Sequence, residues 1–258
     1  MPDGPKVFFV YQKSEKTKYW EEAKPYITKY YQIMNNTFGR YVYPTYSFVQ
    51  GGDGGMEYGM CTMILGESKS LEGLLGLMIH EGSHSWFQQM LATNESTKPW
   101  LDEGFTSYAE SYVMYQLFPK TNEANPFINS LKGYAYFAKS GREEPASWLS
   151  DHHDNGTAYS VASYTKGELF LVELGYIMGE ETLSKVMKKY YQDWHLKHPS
   201  DRDFMHIAQQ ISGMDLKWFY HYWINTTKTI DYAIKDVKYG DTYTTITLVN
   251  NSDVPMPI

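Results

Sequence analysis

The chain begins with a continuous apolar run, Val7-Phe8-Phe9-Val10-Tyr11, which reads as a strand covered on both faces. From Ser14 to Phe38 the period changes. Tyr19, Ala23, Tyr26-Ile27, Tyr30 and Ile33-Met34 recur every three to four residues, which predicts a helix with one buried face, started or kinked at Pro25. Strand character returns over Tyr41–Val49. Four glycines within Gly51-Gly52-Asp53-Gly54-Gly55 predict a turn or loop, because glycine loses the most backbone freedom in a regular element. Met56 to Leu65 then reads as one strand.

Beyond Ser70 the texture is helical. Leu74-Leu75, Leu77-Met78 and Leu91 give the stretch Ser70–Ala92 a buried face, while Gly73, Gly76 and Gly82 lower its propensity and permit close approach. Asp102 is suited to cap the next helix, which runs to about Leu117 and is ended by Pro119. Further helices are predicted over 126–139, 159–178, 181–194, 201–211 and 215–223. From Thr229 the period becomes two: Ile230, Tyr232 and Ile234 alternate with polar residues, Gly240-Asp241 marks a turn, and Thr242–Val249 alternates again. A lone hairpin is marginal in water, so it is expected to begin a β domain whose remainder lies outside the chain. The boundary is drawn between 1–228, a mostly helical α+β unit with a small N-terminal sheet, and 229–258.

Composition narrows the function classes. At 258 residues the chain can bury a sizeable core. The formal net charge is −7, and no basic run exceeds two residues, which argues against a nucleic-acid partner. An acidic surface weakly favours cationic substrates, free amino termini included. Cys61 is the one cysteine, so no intrachain disulfide is available, and it reads as a small buried side chain. The longest apolar candidate, Leu74 to Ile79, is far short of a membrane span. Met1-Pro2-Asp3-Gly4-Pro5 has no signal-peptide character, and the compartment stays open.

The chemistry concentrates in His80-Glu81-Gly82-Ser83-His84. Histidines at i and i+4 share a helix face, so both imidazoles can reach one ion, and Glu81 can lean over its open position. Two nitrogen ligands, a base and room for a water are what a hydrolytic zinc site needs. Glu103, 19 positions after His84 in Trp100-Leu101-Asp102-Glu103-Gly104-Phe105, is the candidate third ligand. The alternative is a buried helix whose histidines and glutamate pair with neighbours. Gly55, Met56 and Glu57 follow the glycine loop at a strand start. A strand edge there could take a peptide main chain, with Glu57 on its ammonium; a solvated surface carboxylate is the plainer reading of Glu57. A hydroxyl donor is wanted for the oxyanion. Tyr164 is a candidate, although among 24 tyrosines chemistry alone singles out none. Glu110, seven positions after Glu103, is a partner for a metal-held histidine or a surface carboxylate. His152-His153, with Asp151 and Asp154, read as loop residues near the cleft in preference to a second metal site. His195, His198, His206 and His221 have no ligand spacing.

Taken together, His80 to Phe87, Trp100 to Tyr108 and Tyr164-Thr165-Lys166-Gly167 resemble the catalytic domain of the gluzincin aminopeptidases, the family of aminopeptidase N and leukotriene hydrolase. Gly54-Gly55-Met56-Glu57-Tyr58 is similar to that family's Gly-Ala-Met-Glu-Asn exopeptidase motif. The order and approximate spacing of the four segments match across roughly Val7 to Trp223. The resemblance implies a thermolysin-like α+β metallopeptidase fold and one Zn2+ ion on His80, His84 and Glu103. It also implies Glu81 as general base, Tyr164 on the oxyanion and Glu57 on the free amino group of a peptide substrate. The reaction implied is hydrolysis of the N-terminal peptide bond by metal-activated water. Tyr58, Gly55, Gln88-Gln89 and Asp102 depart from the family's usual Asn, Ala, Gly-Asn and Asn. The family's N-terminal β domain and most of its C-terminal domain have no counterpart here, so the chain is expected to be an excised catalytic domain plus the first hairpin of a truncated β-sandwich, weakly active by itself. An endopeptidase or epoxide hydrolase on the same scaffold, and a non-catalytic zinc-containing peptide-binding fragment, are the rival readings.

Overall fold

Four short strands form one sheet in the order β1-β2-β4-β3. β1 (Lys6–Val10) runs parallel to β2 (Thr45–Gly51), and β2 parallel to β4 (Cys61–Leu65). β3 (Gly55–Tyr58) closes the sheet antiparallel to β4, with Glu57 opposite Thr62. The computed structural model describes residues 4–119 and 125–258, so Met1–Asp3 of the N-terminal stretch discussed above lie outside it.

Parallel pairing of β1 and β2 needs a crossover, and α1 (Tyr19–Thr37) supplies it. Its buried stripe is Trp20, Ala23, Ile27, Tyr30, Tyr31 and Met34, the face its periodicity predicts. Pro25 lies inside the helix, which runs through it. The expectation that β1 is covered on both faces is wrong: it is an edge strand, and Val10 is 53% exposed. Val7 and Phe9 alone of the run's first four residues pack on the core, and a continuous apolar run does not say which face is covered. Met56–Leu65 is two strands, not one. The chain reverses at Gly59-Met60, where Met60, at the second central position of the turn, takes φ 58°, in the left-handed region. A lone Gly59 followed by methionine is a weak turn signal inside an apolar run.

α2 (Leu71–His84) starts at Ser70, whose hydroxyl accepts from the Gly73 amide at 3.0 Å. It widens into a π-helical turn over Ser85–Met90. A second such turn, Trp100–Gly104, leads into α3 (Phe105–Leu117), which packs along α2. α4 (Ile128–Ala138) follows. α5 (Gly156–Ser160) passes through a third π-helical turn, Val161–Thr165, into α6 (Lys166–Met178). The three wide turns adjoin or contain His84, Glu103 and Tyr164; such turns redirect side chains that a regular helix would point elsewhere. α7 (Glu180–Trp194), α8 (Asp201–Ser212) and α9 (Lys217–Asn225) complete the helical layer. Part of the tyrosine-rich composition serves the core: Tyr30, Tyr31, Tyr46 and Tyr190 are buried with Trp20, Trp86, Trp100 and Phe105.

β5 (Tyr232–Tyr239) and β6 (Thr244–Asn250) form a separate two-stranded hairpin. Its apolar residues face solvent, with Ile234 64% and Ile246 56% exposed. No described helix is long and apolar enough to cross a membrane.

Candidate active site

α2 presents His80 and His84 one turn apart, and the wide turn before α3 brings Glu103 up against both. The Glu103 Oε2 lies 3.3 Å from Nε2 of His80 and 3.3 Å from Nε2 of His84. One ligand atom from each of the three residues falls within 4.8 Å of the others. The opposite ring nitrogens are also engaged. His80 Nδ1 is 3.0 Å from Glu110 Oε2, and His84 Nδ1 is 2.5 Å from Asp102 Oδ1. Carboxylates on both Nδ1 atoms fix the ring orientations and aim both Nε2 atoms at Glu103. Two imidazole nitrogens and one carboxylate, so converged, fit a tetrahedral zinc donor set with a position left over.

Asp102 is therefore not a helix cap. The helical path starts upstream, in the Trp100–Gly104 turn, so the Asp102 carboxyl is buried inside it, facing His84. Of the two readings of Glu110, the geometry shows the partner of His80. Glu57 is not a solvated carboxylate either: it is 8% exposed, with Oε1 3.9 Å from His84 Nδ1.

The protein's own charges are strongly coupled here. Burial pulls the His80 imidazole down, but its hydrogen bonds with Glu103 and Glu110 outweigh that and raise it to about 9. Burial opposes charge on His84 too, and Asp102 and Glu103 override it, holding His84 well above the ordinary histidine range. Burial pushes Glu103 up, while the two imidazoles bring it down to about 2. A divalent cation must displace those imidazole protons, so its binding strengthens as pH rises. Burial raises the Glu81 carboxyl to about 7, and nearby positive charge works against that rise. Burial also raises Glu57.

Glu81 leans toward β3, into space that glycine leaves open. A Cβ placed on Gly55 would fall 2.2 Å from Glu81 Oε1. The departure from alanine at this position thus goes with the observed placement of Glu81. Met56 and Tyr58 point to the other side of β3 and are exposed, and β3 is the terminal strand of its sheet. Thr62 Oγ1 on β4 donates to the Met56 carbonyl at 2.9 Å, steadying the strand.

Tyr164 comes from the third π-helical turn. Its hydroxyl donates to Glu103 Oε1 at 2.7 Å, and its ring stacks on His80 with centroids 5.7 Å apart. Burial and the neighbouring Glu103 both push its phenol far above the ordinary tyrosine range. The structure thus brings His80, Glu81, His84, Glu103, Glu57 and Tyr164 into one cluster, with Gly55 against Glu81 and Met56 on the outer side of the strand.

Two further residues go beyond the sequence reading. His153 is not a loose loop residue: its side chain is 1% exposed, and Nδ1 is 2.7 Å from Glu144 Oε2. Glu95, which the sequence does not single out, brings its carboxylate within 4.8 Å of Glu57 and Asp102. No spacing rule points to it, because it sits in a loop between two helical segments.

The peptidase family M1 domain matches residues 25–223. Aminopeptidase B of Rattus norvegicus is 27% identical over 246 residues, covering 86% of this chain and 37% of that protein. Aminopeptidase M1-A of Oryza sativa subsp. japonica is 26% identical over 167 residues, covering 64% of this chain and 19% of that protein. The chain therefore spans well under half the length of these relatives. Yeast LTA4 hydrolase in complex with bestatin superimposes with a TM-score of 0.68 at 20% identity, over 87% of this chain and 38% of that one. The M1 zinc metallopeptidase of Deinococcus radiodurans gives a TM-score of 0.67 at 15% identity, over 84% of this chain and 46% of that one. At those identities the two structures speak to the fold, and it is the α+β catalytic-domain fold the sequence predicted.

Proposed function

Because the chain belongs to the peptidase M1 family, we propose that its buried cluster is the catalytic centre of a zinc aminopeptidase hydrolysing N-terminal peptide bonds. The observation that carries this is the convergence of His80 Nε2 and His84 Nε2 on one Glu103 oxygen, with both Nδ1 atoms held by carboxylates. His80, His84 and Glu103 would hold one zinc ion. When bound, zinc supplies concentrated positive charge that acidifies water and polarises a carbonyl.

The protein's own groups do the rest. Glu81 takes a proton from the attacking water and returns it to the departing amine, a task suited to a carboxylate whose proton affinity burial has raised. The Tyr164 hydroxyl, kept protonated by its surroundings, donates to the carbonyl oxygen as negative charge grows there. Glu57 receives the substrate ammonium, and the free edge of β3, with Gly55 and Met56, aligns the peptide main chain. Buried carboxylates at the ammonium position make a neutral, acylated terminus a poor fit.

Residues 1–228 are assigned to this catalytic unit and 229–258 to a distinct β element. That division is supported by the end of the family match at 223 and by the hairpin's separate ladder. Cleavage of a peptide with a free amino terminus, compared with its N-acetylated twin, tests the exopeptidase reading. The free peptide is expected to be cleaved and the acetylated one spared. Equal cleavage of both would replace the reading with an endopeptidase.

A further inference from the structure

Lys166 is wholly shielded from solvent, an unusual place for an ammonium group. Its Nζ forms an ion pair with Glu143 Oε1, itself only 4% exposed, and donates to the Thr226 carbonyl at 2.9 Å. The rings of Tyr134 and Trp223 lie over it, with centroids 5.9 and 6.0 Å away. The Trp223 indole N–H donates to the Lys166 carbonyl at 3.0 Å, and the Tyr134 hydroxyl donates to Glu143 at 3.0 Å. The residue is thus tied to α4, to the segment before α5 and to α9 at once.

Burying a charge pair is a poor way to gain stability, since apolar residues of the same volume commonly do as well. What the pair offers is a fixed geometry, and its location says what is fixed. Lys166 is two residues after Tyr164, at the exit of a π-helical turn. On the following residue the chain meets the other side of the cluster: a Cβ on Gly104 would fall 2.5 Å from Gly167 Cα, and one on Gly167 would fall 2.8 Å from Gly104 Cα. Gly104 directly follows Glu103. The turn carrying Tyr164 is therefore gripped on one side by the backbone beside Glu103 and on the other by the pinned Lys166 side chain.

We infer that the Lys166–Glu143 pair is a positioning device for Tyr164. It sets the wide turn so that the phenol stays beside Glu103 and over His80. This rests on the reading of Tyr164 as the oxyanion donor. Lys166 and Glu143 act through Tyr164 and do not touch substrate.

A double-mutant cycle tests it. The pair is replaced by K166M/E143Q, which removes both buried charges and keeps an acceptor for Tyr134. In the zinc-loaded enzyme we expect kcat to fall about tenfold to hundredfold with KM nearly unchanged, as for a donor displaced by a fraction of an ångström to an ångström. In a Tyr164→Phe background the same two substitutions should change kcat less than about twofold, because the group they position is gone. Equal losses in both backgrounds, or no loss at all, would overturn the inference. A second readout needs no activity: the ring resonances of Tyr164 in isotope-labelled protein, assigned by their loss in Tyr164→Phe. They should shift or broaden in K166M/E143Q, and unchanged resonances would overturn the inference. Should Tyr164→Phe cost no turnover, the oxyanion role falls while the resonances still decide the clamp. Should K166M/E143Q not fold, Trp223→Phe removes the indole bond to the Lys166 carbonyl and trims the ring over its Nζ, and it is read by the same resonances, a shift supporting the clamp and none refuting it.

Discussion

The two sides of the cluster are built differently. On the helical side each group is held more than once: His80 between Glu103 and Glu110, His84 between Glu103 and Asp102, Glu103 among both histidines and Tyr164. On the strand side the Glu57 carboxylate stands 3.9 Å from His84 Nδ1, and Met56 and Tyr58 face outward from a four-residue strand at the sheet edge. The helical side is over-determined by the fold, which suits a metal whose ligands must stand ready before it arrives. The strand side offers the terminal strand of its sheet and a carboxylate not locked into a short ion pair, which suits a surface completed by substrate.

That contrast can be broken from either side, and the expected effects fall in order. Glu81→Gln should retain zinc and lose turnover by about 10³–10⁴-fold, since it removes only the proton carrier; near-native turnover would show that another group takes the proton. Tyr164→Phe should lower kcat by about 10²–10³-fold with little change in KM, and a pure KM defect would move Tyr164 to substrate binding. Asp102→Ala should weaken zinc about tenfold to hundredfold in a chelator competition by freeing the His84 ring, leaving kcat of the fully loaded enzyme comparatively intact. Glu57→Gln, on the strand side, should raise KM for free-amino peptides about tenfold with zinc affinity unchanged, as loss of one charge-assisted contact implies. If Glu57→Gln instead releases the metal, the two sides are not separable.

pH gives a graded version of the same contrast. Both imidazoles are raised in the protein's own field, His80 to about 9, so protons compete with zinc across the neutral range. The sign follows: zinc affinity should climb with pH up to about 9 and fall on acidification, as followed by competition at fixed ionic strength. Affinity flat between pH 6 and 9 would mean the imidazoles are already neutral without the ion.

How much was legible in advance follows the same divide. His80 and His84 could be read because helical period alone puts i and i+4 on one face. Glu103 and Tyr164 stand as candidates until family likeness singles them out, since nothing local says that segments 19 and 80 residues beyond His84 return to it. Asp102 differs from its expected capping role because a π-helical turn extends the helix upstream and turns the carboxyl inward. The β3–β4 reversal is weakly marked in the sequence because Met60 adopts a backbone conformation its side chain does not advertise. Lys166 and Glu143 were invisible as a pair: the chain between them follows no spacing rule, and a buried lysine runs against the ordinary expectation for its type.

The central claim is that His80, His84 and Glu103 jointly hold the ion, and its most direct test is anomalous diffraction at the zinc edge from zinc-soaked crystals. The account predicts one strong peak among the two Nε2 atoms and the Glu103 carboxylate, lost in Glu103→Ala. A peak lying instead among Glu57, Glu95 and Asp102, or none at all under saturating zinc, would contradict it.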